Sequence, residues 1–192
     1  MEDLFNYYKN ALADGLCTEY RDYWRSAHDD KEKLVKLVMS QQSLPHFITY
    51  CYNGRGLSKD YILDNFAEYV NGRVIHDADG VSGFTYSLNV AFSGVFNASD
   101  DVSAFMWCNS TTVEIKRTKC PVLYIGCGSR VRIITEGYSS LRIYLFDESE
   151  VILDDIDYES NVIIYKYSPR CKVVKTKFCM GQVKQFDKEL KL

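Results

Sequence analysis

A short apolar-polar-apolar pattern recurs every nine to eleven residues between about residue 102 and residue 178. Seven copies are defined by their two apolar positions: Val113/Ile115, Val122/Tyr124, Val131/Ile133, Leu141/Ile143, Val151/Leu153, Val162/Ile164 and Cys171/Val173. Successive side chains of an extended chain point to opposite faces, so each copy predicts a strand with two apolar side chains on one face. One such strand cannot bury that face alone. Stacked copies can, and the repeat therefore constrains the architecture more than any other feature of the chain.

Two architectures satisfy this rhythm. In a β-solenoid each copy forms one side of a coil, and like residues stack from turn to turn. In an antiparallel β-meander, turns of four to five residues join successive strands. We favour the β-solenoid, or β-helix-like, arrangement because small and medium aliphatic residues fill nearly every predicted inward site. In addition, no Asn-Gly or Asp-Gly turn lies between the copies. The six-residue acyltransferase repeat, the Thr-x-Thr ice-binding ladder and the Gly-Asp-rich calcium repeat do not occur.

The chain before the repeat has helical periodicity. Apolar residues recur at three and four positions, and helix start and stop signals indicate four or five short helices. Ser58 is a predicted N-cap, and so is Asp29 or Asp30 for the helix that follows them. Asn71-Gly72 is a predicted stop. We expect an α+β protein with four segments: a helical domain or cap (1–72), a strand-rich transition (73–100), the ten-residue β-repeat domain (101–180) and a C-terminal tail or short helix (181–192). Because an open solenoid end exposes unpaired strand edges, the helical unit is expected to cap it.

Composition narrows the functional classes. The net charge of −3 argues against a general nucleic-acid binder, which carries a basic surplus. Seven Cys and three His show neither a C-x-x-C pair nor metal-ligand spacing, so we expect no metal site and no cofactor. Neither a secretory signal nor a 20-residue apolar span is evident, which predicts a cytoplasmic protein without membrane contact.

Seven acidic residues fall within the thirteen residues 147–159: Asp147, Glu148, Glu150, Asp154, Asp155, Asp157 and Glu159. One hypothesis is an acidic face that docks on a basic partner. The other is structural, because basic residues in the neighbouring copies could pair with these acids across the strands. Asp154 and Asp155 do not form a glycosidase pair by themselves, since adjacent strand residues point to opposite faces. The sequence predicts no catalytic residues.

Three segments carry a family resemblance: GLCTEY at 15–20, GLSKDYI at 56–62 and YVNGRVI at 69–75. Together with the β-rich repeats that follow, they resemble a group of proteins encoded by gut bacteria of the Bacteroides group and by their phages and mobile elements. The resemblance covers most of the chain. It implies a phage-related role, acting in the host cytoplasm or in the virion, and it transfers no activity to individual residues.

Three functional hypotheses follow. The favoured one is a non-enzymatic macromolecule-binding protein of phage or mobile-element origin. Its rigid β-repeat surface would engage a protein partner and inhibit, for example, a host defence factor. The second is a structural virion component, a fibre or decoration protein in which the solenoid forms a homo-oligomer. The third is a carbohydrate-active or sugar-binding β-helix module. Direct nucleic-acid binding is not expected.

Overall fold

The computed structural model describes residues 2–16, 18–27, 30–40, 42–71, 74–76, 85–98 and 101–190. The helical part comprises α1 (Glu2–Ala13), α2 (Thr18–Ser26), α3 (Lys31–Val38), α4 (Leu44–Tyr52), α5 (Lys59–Asn65) and a 3₁₀ turn (Ala67–Tyr69). Two predicted N-caps are confirmed: the side chains of Asp30 and Ser58 accept hydrogen bonds from the third backbone N–H beyond them. Asn71 takes the left-handed conformation expected of a stop signal, with φ of 53°. Gly72 lies outside the described residues.

The rest of the described chain is built from short strands. They are β1 (Val74–His76), β2 (Thr85–Val90), β3 (Ser93–Ala98), β4 (Val102–Met106), β5 (Ser110–Ile115), β6 (Val122–Gly126), β7 (Arg130–Thr135), β8 (Ser140–Leu145), β9 (Glu150–Leu153), β10 (Asn161–Lys166), β11 (Lys172–Lys175) and β12 (Gln182–Asp187).

The strands form a two-sided β-solenoid, as the repeat predicted. Sheet A has the order β1-β2-β4-β6-β8-β10-β12, and sheet B has the order β11-β9-β7-β5-β3. Neighbouring strands from β2 onward pair in parallel, so the antiparallel meander is wrong. Val122 pairs with Arg142, and Arg142 pairs with Ile163, so one coil takes 20 or 21 residues. Each ten-residue copy is therefore half a coil, and successive copies alternate between the sheets.

A narrow apolar core fills the space between the two sheets. Most of the residues that the repeat predicted to point inward, such as Ile133 and Leu153, are fully buried there. The prediction for the second copy was wrong by one residue. Leu123 and Ile125 of β6 point into the solenoid, whereas Val122 and Tyr124 belong to the outer face. This strand is covered on both faces and carries apolar residues on both, so alternation alone could not assign the inward side.

The helical unit does not sit at the end of the coils as expected. It packs sideways on the outer face of sheet A, with α4 against β6 and α5 against β2. Gly126 of β6 is in such close contact with the side chain of Ile48 in α4 that no β-carbon would fit between them. The end of sheet A at β2 is instead covered by β1, which pairs with β2 antiparallel.

The segment boundaries also differ from those predicted. Coil stacking begins at β2, inside the segment 73–100 that was expected to be a transition. In the C-terminal tail, residues 182–187 form β12 instead of a helix. The core ends there because polar residues occupy the inward register: Lys175 pairs with the buried Leu153, and Gln185 with the buried Ile164.

Candidate functional site

A column of stacked aromatic rings runs along the outer face of sheet A. Tyr124, Tyr144, Tyr165 and Phe186 are register partners on four successive strands. Their ring centroids are 4.7, 5.1 and 5.6 Å apart, with interplanar angles of 9°, 25° and 25°. Parallel strands lie about 4.8 Å apart, so identical positions in successive coils place flat rings at stacking distance. A second, shorter column stacks Phe146 on Tyr167 at 5.0 Å.

The helical unit covers only the first part of these columns. Tyr124 and Phe146 are buried in the core that the helices share with sheet A. Beyond this cover the rings reach the surface: Tyr144, Tyr165 and Tyr167 are half-buried, and Phe186 is 45% exposed. We name these four residues the aromatic strip.

Sequence reasoning did not identify the aromatic strip. The signal was present, because the four residues of the longer column are separated by 20, 21 and 21 positions. That spacing is twice the period of the repeat. It becomes informative only once one coil is known to contain two copies.

Positive charges flank the aromatic strip. Arg142 and Lys184 occupy outward positions beside it, and the ammonium of Lys188 lies 5.7 Å from the centroid of the Tyr165 ring. None of these three cations forms an ion pair with another described residue. The outward positions of β8, β10 and β12 include no acidic residue. The uncovered half of sheet A therefore presents an apolar centre with unpaired cations around it.

Three acidic residues of the segment 147–159 pair with basic residues of the same chain. Glu150 pairs with Arg130 at 2.9 Å, and Asp154 pairs with Arg132 at 3.2 Å. At the corner after β8, Glu148 pairs with Arg170 at 2.6 Å. These contacts join acids of one coil to basic residues of the coils on either side, as the structural interpretation of the acidic segment expected.

The other acids lie at the corner between β9 and β10. Asp155 is exposed, and the Asp157 carboxylate accepts a hydrogen bond from the backbone N–H of Glu159 at 2.9 Å. The Tyr158 hydroxyl is 3.2 Å from the Glu159 carboxylate. The seven acids thus occupy two corners and one sheet. The fold does not gather them on one continuous face, because the chain turns twice between residues 147 and 159.

Asp147 is buried at the corner nearest the helical unit. Its carboxylate accepts a hydrogen bond from the backbone N–H of Cys127 in the preceding coil at 3.2 Å. Burial raises the pKa of Asp147 to about 6, and the Cys127 hydrogen bond partly opposes that rise. A side chain in this position supports the corner and is not available to a partner.

The buried thiols near this corner have no reactive environment. Burial raises the pKa of Cys51 to about 12 and raises the pKa of Cys127 further. The thiol of Cys127 donates a hydrogen bond to the carbonyl of Ile48, which places it at the junction with α4. Because the thiolate is the reactive form, these cysteines act as small packing residues.

Further comparisons add no functional assignment. Within the described ranges, no three His, Cys, Asp or Glu side chains lie close enough together to hold a metal ion. None of the described helices has both the length and the hydrophobicity needed to cross a lipid bilayer. Comparison with protein-family models, with curated proteins and with solved structures finds no match.

Proposed function

We propose that this protein is a non-enzymatic binding protein, and that its aromatic strip docks an amphipathic helix of a partner protein. The helix would place apolar side chains on Tyr144, Tyr165 and Phe186, and acidic side chains beside the flanking cations. The proposal keeps the binding role expected from the sequence. It moves the contact surface from the acidic segment to the outer face of sheet A.

The observation that carries the proposal is the continuity of this face. The outer surface of sheet A carries apolar side chains on every strand from β2 to β12, and the chain's own helices cover it over β2, β4 and β6. The aromatic column runs without interruption from the covered Tyr124 to the exposed Phe186. The face on which the chain's own helices pack therefore continues, through the same aromatic column, onto the strands that they leave uncovered.

Charge and composition support a helix with acidic flanks. Tyr and Arg are enriched among residues that dominate binding energy, and the aromatic strip combines tyrosines with Arg142. Cations that are unpaired in the free protein attract an acidic partner and favour its correct orientation. Glu150 and Asp154, in contrast, are already paired with Arg130 and Arg132, and a basic partner would have to break those pairs.

Two other functions fit the structure less well. Sugar-binding aromatic residues use their ring faces, and in the aromatic strip stacking occupies most of those faces. A coaxial fibre would bury Lys175 and Gln185 of the final coil at the junction between molecules, which is unfavourable for polar groups without partners.

The test compares proteins captured from the cells that express the chain. The strip variant carries Tyr165→Ser and Phe186→Ser. Its matched control carries Val174→Ser and Phe178→Ser, which remove exposed apolar side chains near the end of sheet B. We expect a partner that the wild type and the control retain and that the strip variant loses at least tenfold. Replacing Arg142 and Lys184 with Glu, which reverses their charges, should weaken binding of the same partner.

A third variant tests the acidic segment, with Asp147, Glu148, Asp154 and Asp157 changed to Asn or Gln. If this variant loses the partner while the strip variant captures it as well as the wild type does, the partner binds the acidic segment and our proposal is wrong. The mass in solution gives a separate check. If the wild type is a dimer and the strip variant a monomer, a second copy covers the aromatic strip and the partner-helix proposal is wrong.

A further inference from the structure

The two ends of sheet A are closed differently. At the first coil, the short strand β1 pairs antiparallel with β2 and covers the edge of the sheet. At the last coil, β12 pairs with β10, and no described strand lies on its other side. An open strand edge is a template for another strand, and natural proteins usually cover or block it. The edge of β12 is therefore a surface that a further strand can extend.

The backbone of β12 presents hydrogen-bonding groups at this edge. The N–H of Lys188, just after the strand, donates to the carbonyl of Lys166 in β10 at 2.8 Å. In a parallel ladder the direction of these groups alternates from residue to residue. The N–H and C=O groups of Val183, Gln185 and Asp187 therefore point away from β10, where the described chain offers them no partner strand.

The outward side chains along β12 indicate the chemistry of the missing strand. Lys184, Phe186 and Lys188 follow one another on this face. Phe186 is the last ring of the aromatic column: it stacks on Tyr165 at 5.6 Å, and its side chain is 45% exposed. Each earlier strand places its ring on the one before it at a similar distance. An added strand with an aromatic residue beside Phe186 would continue the column.

Charge specifies the residues on either side of that ring. Neither Lys184 nor Lys188 forms an ion pair with another described residue. Opposite charges that face each other across two strands stabilise their pairing, and like charges oppose it. Acidic residues two positions before and after the aromatic residue would meet these lysines. Two copies of β12 paired antiparallel about Phe186 would instead bring Lys184 against Lys188, which disfavours a second copy as the occupant.

We propose that the edge of β12 binds an extended segment of a partner protein, in which acidic residues lie two positions before and after an aromatic residue. The segment would hydrogen-bond to the open backbone groups, stack its ring on Phe186 and place its carboxylates beside Lys184 and Lys188. This contact does not require a helix on the aromatic strip, because the segment lies beyond β12 and the helix would lie across the outer face of sheet A.

The experiment titrates the full-length protein with the peptide Thr-Glu-Thr-Tyr-Thr-Glu-Thr, blocked at both ends. Backbone N–H signals are followed by NMR. We expect a Kd of about 1 mM or tighter, with slower hydrogen exchange at the N–H groups of Val183, Gln185 and Asp187 in the complex. A helix on the outer face would not slow exchange at these groups. A control peptide with Lys in place of both Glu residues should bind at least tenfold more weakly.

Two variants of one residue test the backbone edge. Gln185→Pro removes an N–H that faces the open edge and leaves the pairing with β10 intact, so it should weaken peptide binding at least tenfold. Gln185→Thr keeps that N–H and should bind the peptide as the wild type does. Thermal unfolding checks that both variants are folded. Replacing Lys184 and Lys188 with Glu should reverse the preference, so that the Lys peptide binds better than the Glu peptide.

Three outcomes would overturn the proposal. The first is unchanged hydrogen exchange at Val183 and Gln185 when the peptide is bound. The second is equal affinity of the wild type for the two peptides. The third is slow exchange at the same groups in the free protein together with the mass of a dimer, because a second copy would then cover the edge.

Discussion

Four residues with positive φ occupy one corner of successive coils. Ala91, Trp107, Cys127 and Asp147 have φ of 49°, 56°, 54° and 58°, each just after a sheet A strand or close to its end. This conformation is unfavourable for residues that have a β-carbon, and Asp tolerates it better than most other such residues. The repeated corner imposes it because the coil must turn there to reach sheet B.

Asp147 provides a test of this corner. Asp147→Asn keeps a residue that tolerates positive φ and keeps an oxygen for the Cys127 N–H, but it removes a buried charge. We expect the variant to be more stable than the wild type at pH 7 by about 1–2 kcal/mol. Urea unfolding at several pH values measures the difference in the free energy of unfolding.

The pH dependence of that difference follows from the raised pKa. Below the ordinary pKa of Asp both states are protonated, and the variant gains nothing. Between pH 4 and pH 6 the unfolded carboxyl ionises before the folded one, whose pKa is about 6, so the wild type loses stability as pH rises. A difference between variant and wild type that is constant from pH 4 to pH 7 would contradict this account.

Gly126 tests the contact between α4 and β6. A β-carbon at this position would overlap the Ile48 side chain, so Gly126→Ala should destabilise the protein by about 1–3 kcal/mol. Ile48→Ala removes the obstructing atoms. The double variant should therefore lose less than the sum of the two single losses, by at least about 0.5 kcal/mol. If the losses in the free energy of unfolding are strictly additive, a β-carbon at position 126 does not clash with the Ile48 side chain.

At the scale of the element, each sheet has its own cross-strand chemistry. Sheet A stacks aromatic rings along its outer face, and sheet B places acidic and basic side chains on neighbouring strands. Both patterns arise because parallel coils bring equivalent positions together. Exposed ion pairs contribute little stability, so the pairs on sheet B mainly prevent like charges from meeting.

The polar inward residues of β11 and β12 are expected to keep molecules from stacking end to end. Replacing Lys175 with Leu and Gln185 with Ile would extend the apolar core to the last coil, and we expect the variant to self-associate. The control, Lys172→Leu with Gln182→Ile, changes outward positions of the same strands. Light scattering coupled to gel filtration measures the mass. A monomeric core variant would argue that other features protect this end.

At the scale of the whole molecule, the helical unit and sheet A share one hydrophobic core. Phe47 and Ile48 of α4 belong to the same buried cluster as Leu88, Met106 and Tyr124 of the sheet. The helices are short, and α1 is the longest of those described, with 12 residues. Helices of this length depend on tertiary packing for most of their stability.

The isolated fragment 1–72 should therefore lack a cooperative unfolding transition. Without sheet A, the inner faces of α4 and α5 would be exposed to water, and little apolar area would remain to offset the conformational entropy. Circular dichroism during thermal and urea unfolding measures this, with the full-length protein as the reference. A fragment with a sharp transition would show that the helical unit is an independent domain.

Local sequence features predicted the elements well. Asp30 and Ser58 indicated helix starts because their side chains act on N–H groups only three residues away. The inward side chains were predicted correctly in the copies that begin at Val131 through Val162. In each of these strands one face lies in the core and the other does not. At β6 the same reasoning failed, since burial by the helices makes both faces apolar.

The sequence by itself determined that strands recur at about ten-residue intervals, because this depends on short-range alternation, and it favoured a solenoid over a meander. Only the tertiary structure decided that two copies make one coil. That arrangement places residues 20 or 21 positions apart in contact, which assembles the aromatic column and brings Glu150 next to Arg130. The tertiary structure also decided that the helices pack on the outer face of sheet A and cover only part of it. This packing depends on contacts between residues that are distant in sequence. The uncovered aromatic strip is the consequence of that choice.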